Sequence, residues 1–207
     1  LGLRQPENRM GVSKEDVIKK AEEIGFPVLL RPSFVLGGRC MFIAYDTAGL
    51  EEFFQVSGLE ISQKSPVLVD QFLEDAFEYD LDAISDGKHI YIGGILQHIE
   101  AAGIHSGDSA AVFPPYKSKP EIIEEMKSWT LKLATNLNVR GLMNIQFAEK
   151  DGKLYIIEVN PRASRTVPFI SKSSSVNLVE AAVRVWEGED LVAQGLVKPG
   201  DDIATGR

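Results

Sequence analysis

An α+β fold with mainly antiparallel sheets is the class this sequence predicts, and three observations carry the prediction. Strand-like runs follow one another without intervening helical patterns, from Val67 to Glu100 and again from Leu142 to Asn160, so neighbours are joined by turns rather than crossovers. Segments with apolar residues at helical spacing stand apart from those runs and flank them. At 207 residues and 44% apolar composition, the chain buries a real core as one domain or as two small lobes.

Taken in order, "SKEDVIKKAEEIG" opens with Ser13 and Asp16 at capping-box spacing, sets Val17, Ile18, Ala21 and Ile24 on one helical face, and stops at Gly25. "FPVLLRP" is a short buried strand, "SFVLGGR" turns, and "CMFIAYD" returns as a second strand around a glycine loop. Thr47 is placed to cap a helix through "AGLEEFFQVSG". Three strands follow, "VLVDQF", "FEYDLDAISDG" and "HIYIGGILQHIE", the last two joined at Asp86 and Gly87. The loop "AAGIHSGDSAAVFPPYKSKP" leads to an amphipathic helix from about Glu121 to Leu137. "LMNIQFAEK" and "LYIIEVN" then pair across Asp151 and Gly152, and "NLVEAAVRVWEG" closes the fold as a helix. The last stretch, "VKPGDDIATGR", is polar and aperiodic and reads as a linker; with leucine as the first residue, the chain reads as a piece of a longer polypeptide.

A net charge of −8 argues against a general nucleic-acid binder, which needs a basic face. No apolar run approaches the ~20 residues of a membrane span, so no membrane partner is expected. The single cysteine, Cys40, excludes an internal disulfide and a thiolate cluster, and is compatible with a cytoplasmic location.

The chemistry concentrates in the hairpin from Leu142 to Asn160 and in the segment immediately after it. Alternation sets Met143, Ile145 and Phe147 on one side of the first strand, with Asn144 and Gln146 on the other. In the second strand it groups Tyr155, Ile157 and Val159 against Ile156, Glu158 and Asn160. Matching the apolar sides requires an even-sum register, and a two-residue turn at Asp151 and Gly152 makes the sum odd. The expectation is therefore a three-residue loop, Lys150 to Gly152, with Gly152 left-handed. Gln146, Glu158 and Asn160 then converge, and three oxygen donors without histidine or thiolate suit a hard cation such as magnesium. Arg162 and Arg165, just beyond, suit charge on a transferred phosphoryl group. The same alternation equally describes a hairpin whose polar side faces water.

Other segments carry weaker signals. Arg31 ends a buried strand before Gly37 and Gly38, whose backbone N–H groups can approach phosphate oxygens, although an ordinary tight turn has the same pattern. His105 in "GIHSGDSA" is suited to an anionic substrate or to a structural loop; no nucleophile elbow supports a serine-hydrolase reading. Glu78, Asp80 and Asp82 share one strand face and read as solvated, with one carboxylate available to a ribose hydroxyl. His89 and His98 have no evident partners in the sequence, and Phe53, Phe54 and Trp186 read as core.

With those residues in view, the sequence resembles the carbamoyl-phosphate synthase large-subunit family, and within it the second, C-terminal ATP-grasp half. The matching segments are "FPVLLRPSFVLGGR", "EYDLDAISDG", "GIHSGDSA", "RGLMNIQFA" and "IIEVNPRASRTVPFISK", in that order. "RGLMNIQF" and "RTVPF" resemble the half that phosphorylates carbamate more than the half that phosphorylates bicarbonate. The resemblance implies an ATP-grasp fold whose two lobes enclose ATP: a lid-like lobe over residues 1–70, a nucleotide- and metal-binding lobe over 71–195, and a tail from 196 to 207. By motif, Arg31 with Gly37 and Gly38 would meet phosphate, and Gln71, Leu73 and Glu78 would hold adenine and ribose. Gly103, Ile104, His105 and Ser106 would line the nucleotide and anion site. Gln146, Glu158 and Asn160 would ligate magnesium or manganese, and Arg165 with Arg162 would orient carbamate and phosphate. Potassium is a further family trait, implied without assigned ligands. The implied reaction gives carbamoyl phosphate for arginine and pyrimidine biosynthesis, with the remainder of the large subunit and a glutaminase small subunit as partners. Another ATP-grasp carboxylate ligase, or a nucleotide-binding module without turnover, are the competing expectations.

Overall fold

The computed structural model describes residues 1–33, 41–104 and 108–200. These form two compact units: Gln5–Glu74 is one, and Leu1–Arg4 with the chain from Asp75 onward is the other. Local backbone bonds account for the division. Gln71 N donates to Glu7 O at 2.7 Å and Phe72 N to Pro27 O at 3.0 Å, holding that stretch in the first unit, whereas Ile156 N donates to Arg4 O at 2.9 Å in the second.

The unit Gln5–Glu74 is a four-stranded antiparallel sheet in the order β1-β4-β2-β3, with two helices. Its elements are β1 (Asn8–Gly11), α1 (Lys14–Ile24), β2 (Val28–Pro32), β3 (Phe42–Ala44), α2 (Thr47–Ser57) and β4 (Val67–Gln71). Ser13 caps α1 as expected, accepting from Asp16 N, and Gly25 ends it at φ 88°. The cap of α2 is Asp46 rather than Thr47: its carboxylate accepts from Gly49 N, and Thr47 is already helical. Val17, Ala21, Leu30, Leu50, Phe53 and Val69 make the core. β1 has no counterpart among the expected strands, because "NRMG" carries no apolar alternation and is recruited only by pairing with β4.

In the other unit the sheet has five antiparallel strands in the order β7-β6-β5-β8-β9. They are β5 (Phe77–Ser85), β6 (Ile90–His98), β7 (Ala111–Val112), β8 (Gly141–Lys150) and β9 (Lys153–Asn160). Helix α3 (Pro120–Asn136) covers one face: Ile122, Met126, Trp129 and Leu133 pack on Tyr79, Leu81, Met143, Ile145 and Phe147. On the opposite face, α4 (Val167–Ser174) and α5 (Leu178–Trp186) cover only the end that presents Ile84, Leu96 and Leu142. The rest of that face is polar. Leu196 and Val197, expected in a tail, pack against the same apolar cluster. Trp186, expected in the core, is 70% exposed; its indole Nε1 donates to Arg140 O at 3.2 Å, and the ring lies where a Cβ on Gly141 would stand.

The β8–β9 turn corrects the expected loop. Lys150 pairs directly with Lys153 across Asp151 and Gly152, at φ 52° and 71°, which is a two-residue turn with both central residues left-handed. The odd register runs as far as Phe147 opposite Ile156 and then shifts, so that Gln146 faces Glu158. A bulge at Ile157 thus does what a third loop residue was expected to do. As a result Leu154, Ile156 and Val159 join the core, while Ile157 is 43% exposed and Tyr155 lies off that face.

Candidate functional site

Beyond the edge of α4 and α5, β5, β8 and β9 carry two parallel rows of polar side chains. Asp80, Gln146 and Glu158 are cross-strand neighbours in one row, and Asp82, Asn144 and Asn160 in the next. Both rows stand on the face opposite α3, because Tyr79, Leu81, Ile145 and Phe147, one residue out of step, fill the core beneath it. Glu158 is exposed and Gln146 and Asn160 are half-buried, so the outer ends of the rows are accessible, while Asp80, Asp82 and Asn144 are buried. The solvated reading of Asp80 and Asp82 is corrected here: β5 lies between β6 and β8, and its polar face is covered by the segment leading into α4.

That burial is balanced by hydrogen bonds. Asn144 Nδ2 donates to Asp80 Oδ1 at 3.1 Å and to Asp82 Oδ1 at 3.2 Å. Asp82 also accepts from Ser164 Oγ at 2.6 Å and from Thr166 Oγ1. Burial nonetheless raises the Asp82 carboxyl above its ordinary range, against the lowering effect of those three donors. His98, which the sequence left without a partner, sits 2.8 Å from Asp80 Oδ2 through Nε2. Its Nδ1 lies 3.4 Å from Glu78 Oε2, within ion-pair reach but out of hydrogen-bond alignment. Burial lowers the imidazole, yet Asp80 and then Glu78 outweigh it and push His98 up to about 9. Glu78 Oε1 in turn accepts from Gly103 N at 3.4 Å, so the start of the "GIHSGDSA" loop is tied to β5.

Arg162 and Arg165 are both exposed on the segment between β9 and α4. Arg162 donates to Asn160 Oδ1 at 3.1 Å and to Ala163 O at 2.9 Å, beside the polar rows. In the unit Gln5–Glu74, Arg31 Nε donates to Asp70 Oδ2 at 2.5 Å, Gln71 Oε1 accepts from Glu7 N at 3.5 Å, and Leu73 is buried. Ile104 is 46% exposed. Gly37, Gly38, His105 and Ser106 lie outside the described residues, as does Cys40. Among the described residues no helix is long and apolar enough to cross a membrane.

A family model described as carbamoyl-phosphate synthase L chain, ATP binding domain, matches residues 4–194. The chain belongs to this family. It is 53% identical over 198 residues to the carbamoyl phosphate synthase large chain of Vibrio cholerae, covering 96% of this chain and 18% of that one. It is 51% identical over 191 residues to the C-terminal section of the carbamoyl phosphate synthase large chain of Aquifex aeolicus, covering 92% of this chain and 35% of that one. This family member therefore spans about a fifth of the full-length large chains it matches. Its fold is ATP-grasp: it superposes on the Campylobacter jejuni biotin carboxylase–βγ-ATP complex with a TM-score of 0.80 at 18% identity, over 97% of this chain and 45% of that one. A second neighbour is the biotin carboxylase domain of Hydrogenobacter thermophilus 2-oxoglutarate carboxylase, in complex with MgADP and bicarbonate, at a TM-score of 0.73 and 23% identity over 92% and 43% of the two chains.

Gln146, Glu158 and Asn160 fit a magnesium-sized cation by donor chemistry. They are one carboxylate and two amide oxygens, on adjacent strands of one face, at the accessible end of the polar rows. Asn144, His98, Ser164 and Thr166 are site residues to which the sequence assigned no role, and the buried network was equally unexpected at Asp80 and Asp82, read there as a solvated face with one carboxylate available to a ribose hydroxyl. Their signal was parity, since Asp80 and Asp82 alternate in phase with Asn144 and Gln146, but parity needs the strand order before it can be read.

Proposed function

We propose that this protein is the ATP-grasp portion of the C-terminal half of a carbamoyl-phosphate synthase large chain, and that it transfers the γ-phosphoryl group of ATP to carbamate. The observation that carries this reading is the register that sets Gln146 opposite Glu158, with Arg162 and Arg165 on the next segment, in a sequence about half identical to the C-terminal section of a large chain. A carbamate oxygen attacks the γ-phosphorus, the bond to the β-phosphate oxygen breaks, and carbamoyl phosphate and ADP leave; positioning and charge neutralisation supply the catalysis.

In this reading Arg165 holds the transferred phosphoryl group and carbamate, and Arg162 supports it. Magnesium or manganese at Gln146, Glu158 and Asn160 would neutralise phosphate charge. Arg31, Gly37 and Gly38 meet the phosphates, Gln71, Leu73 and Glu78 hold adenine and ribose, and Gly103, Ile104, His105 and Ser106 line the nucleotide and anion site. A glutaminase small subunit supplies ammonia, the other half of the large chain supplies carbamate, and the product serves arginine and pyrimidine biosynthesis in the cytoplasm.

The test is the partial reaction, ATP formation from carbamoyl phosphate and ADP, in the intact large chain. Arg165→Ala is expected to lower its kcat/KM by about 100-fold or more, in the range of losing one transition-state donor. Wild-type rates in that variant would remove Arg165 from the mechanism.

A further inference from the structure

The residues on either side of Arg165 are tied to a single buried carboxylate. Ser164 Oγ donates to one oxygen of Asp82 at 2.6 Å, and Thr166 Oγ1 donates to the other. The two hydroxyls are 2.7 Å apart, and Ser164 Oγ also accepts from Thr166 N at 3.2 Å. Asp82 is 1% exposed and is held from the β8 side by Asn144. Arg165, between its two anchored neighbours, is exposed.

Thr166 shows that the arrangement is more than an ordinary helix start. It is the N-cap of α4, a position whose hydroxyl commonly accepts from the N–H of the second or third helical residue. Here the second helical residue is Pro168, which has no N–H, and Thr166 makes no side-chain cap bond. Its hydroxyl donates inward to Asp82 instead.

We infer that Asp82 is a positioning residue, fixing the backbone on both sides of Arg165 so that the guanidinium is presented in one place. The inference rests on the role proposed above for Arg165. A carboxylate that accepts from two hydroxyls makes short, charge-assisted bonds, and gripping both neighbours constrains the segment far more than one bond does. The effect is large because a misplacement of about 1 Å in a reacting constellation costs on the order of 100-fold in rate.

The experiment is a double-variant cycle in the intact large chain, read as kcat/KM for carbamoyl phosphate in the ATP-forming partial reaction. Asp82→Asn keeps size but cannot accept both hydroxyls, and is expected to lower kcat/KM about 10- to 100-fold while KM for ADP stays within about twofold. Thr166→Val removes one of the two bonds at similar volume, and is expected to act in the same direction by a smaller factor; it carries the test if Asp82→Asn accumulates poorly. In the Arg165→Ala background, either substitution is expected to cost no more than about a further twofold. Losses that multiply in the double variants would mean that Asp82 acts independently of Arg165 and would overturn the positioning role alone. Full activity in Asp82→Asn would do the same. If Arg165→Ala itself keeps wild-type kcat/KM, both this inference and the role of Arg165 fall.

Discussion

His98 is expected to stay protonated well above neutrality, and the consequence can be measured. Its imidazole is buried with Nε2 2.8 Å from Asp80 Oδ2 and Nδ1 3.4 Å from Glu78 Oε2, an arrangement that holds it at about 9 although burial works in the opposite direction. A rise from 6.5 to about 9, at about 1.4 kcal/mol per pH unit, corresponds to about 3 kcal/mol. Because the folded state binds this proton more tightly than the unfolded chain, the stabilisation is fully present below pH 6.5, declines between 6.5 and 9, and is gone above 9. Denaturant unfolding of the wild type and His98→Gln from pH 6 to 9.5 should therefore show the gap in stability narrowing by about 3 kcal/mol. What remains at high pH is the cost of leaving Asp80 without its imidazole partner. The imidazole proton resonances of His98 should titrate near 9. A midpoint at or below 6.5, or a gap constant to within about 1 kcal/mol across that range, would refute the reasoning.

Two further outcomes can be measured elsewhere in the molecule. Glu158→Ala in the intact large chain should abolish the tightening of ADP binding by magnesium, a loss of at least ~10-fold by calorimetry; unchanged metal dependence would remove Glu158 from the donor set. Asp86 accepts from Lys88 N and His89 N at 2.7 Å each, and from Leu191 N at 2.8 Å, which holds its carboxyl below the usual range despite burial. Asp86→Ala strands the buried His89 and Leu191 N–H groups and should cost about 3 kcal/mol in denaturant unfolding. Since the folded carboxyl is lowered, that difference should hold above pH 4 and shrink as the pH falls below it.

Much of the fold was legible where residue pattern and turn chemistry agree. Ser13, Gly25 and the long helix before Leu137 follow local rules, and local rules suffice for elements that close on themselves, whereas the β5–β6 connection, expected at Asp86 and Gly87, runs from Asp86 to His89 between the paired Ser85 and Ile90. Legibility failed where a distant partner decides. β1 exists because β4 offers a free edge, and Trp186 is exposed because it caps the close approach at Gly141 rather than entering the core. The candidate site divides in the same way. Gln146, Glu158 and Asn160 could be grouped from alternation, but the turn assumed in grouping them was wrong, and the bulge at Ile157 restored the outcome by another route.

By itself the sequence determined the antiparallel class, most of the elements, the oxygen-rich character of the hairpin and the presence of two arginines after it, because each depends on spacing within one short segment. Tertiary structure alone decided that Asp80 and Asp82 are buried, that His98 pairs with Asp80, and that Ser164 and Thr166 close on Asp82 from 82 and 84 residues away. These are contacts between strands, and between a strand and the start of a helix. Their energies come from removing charge from water in company, which no single segment can specify.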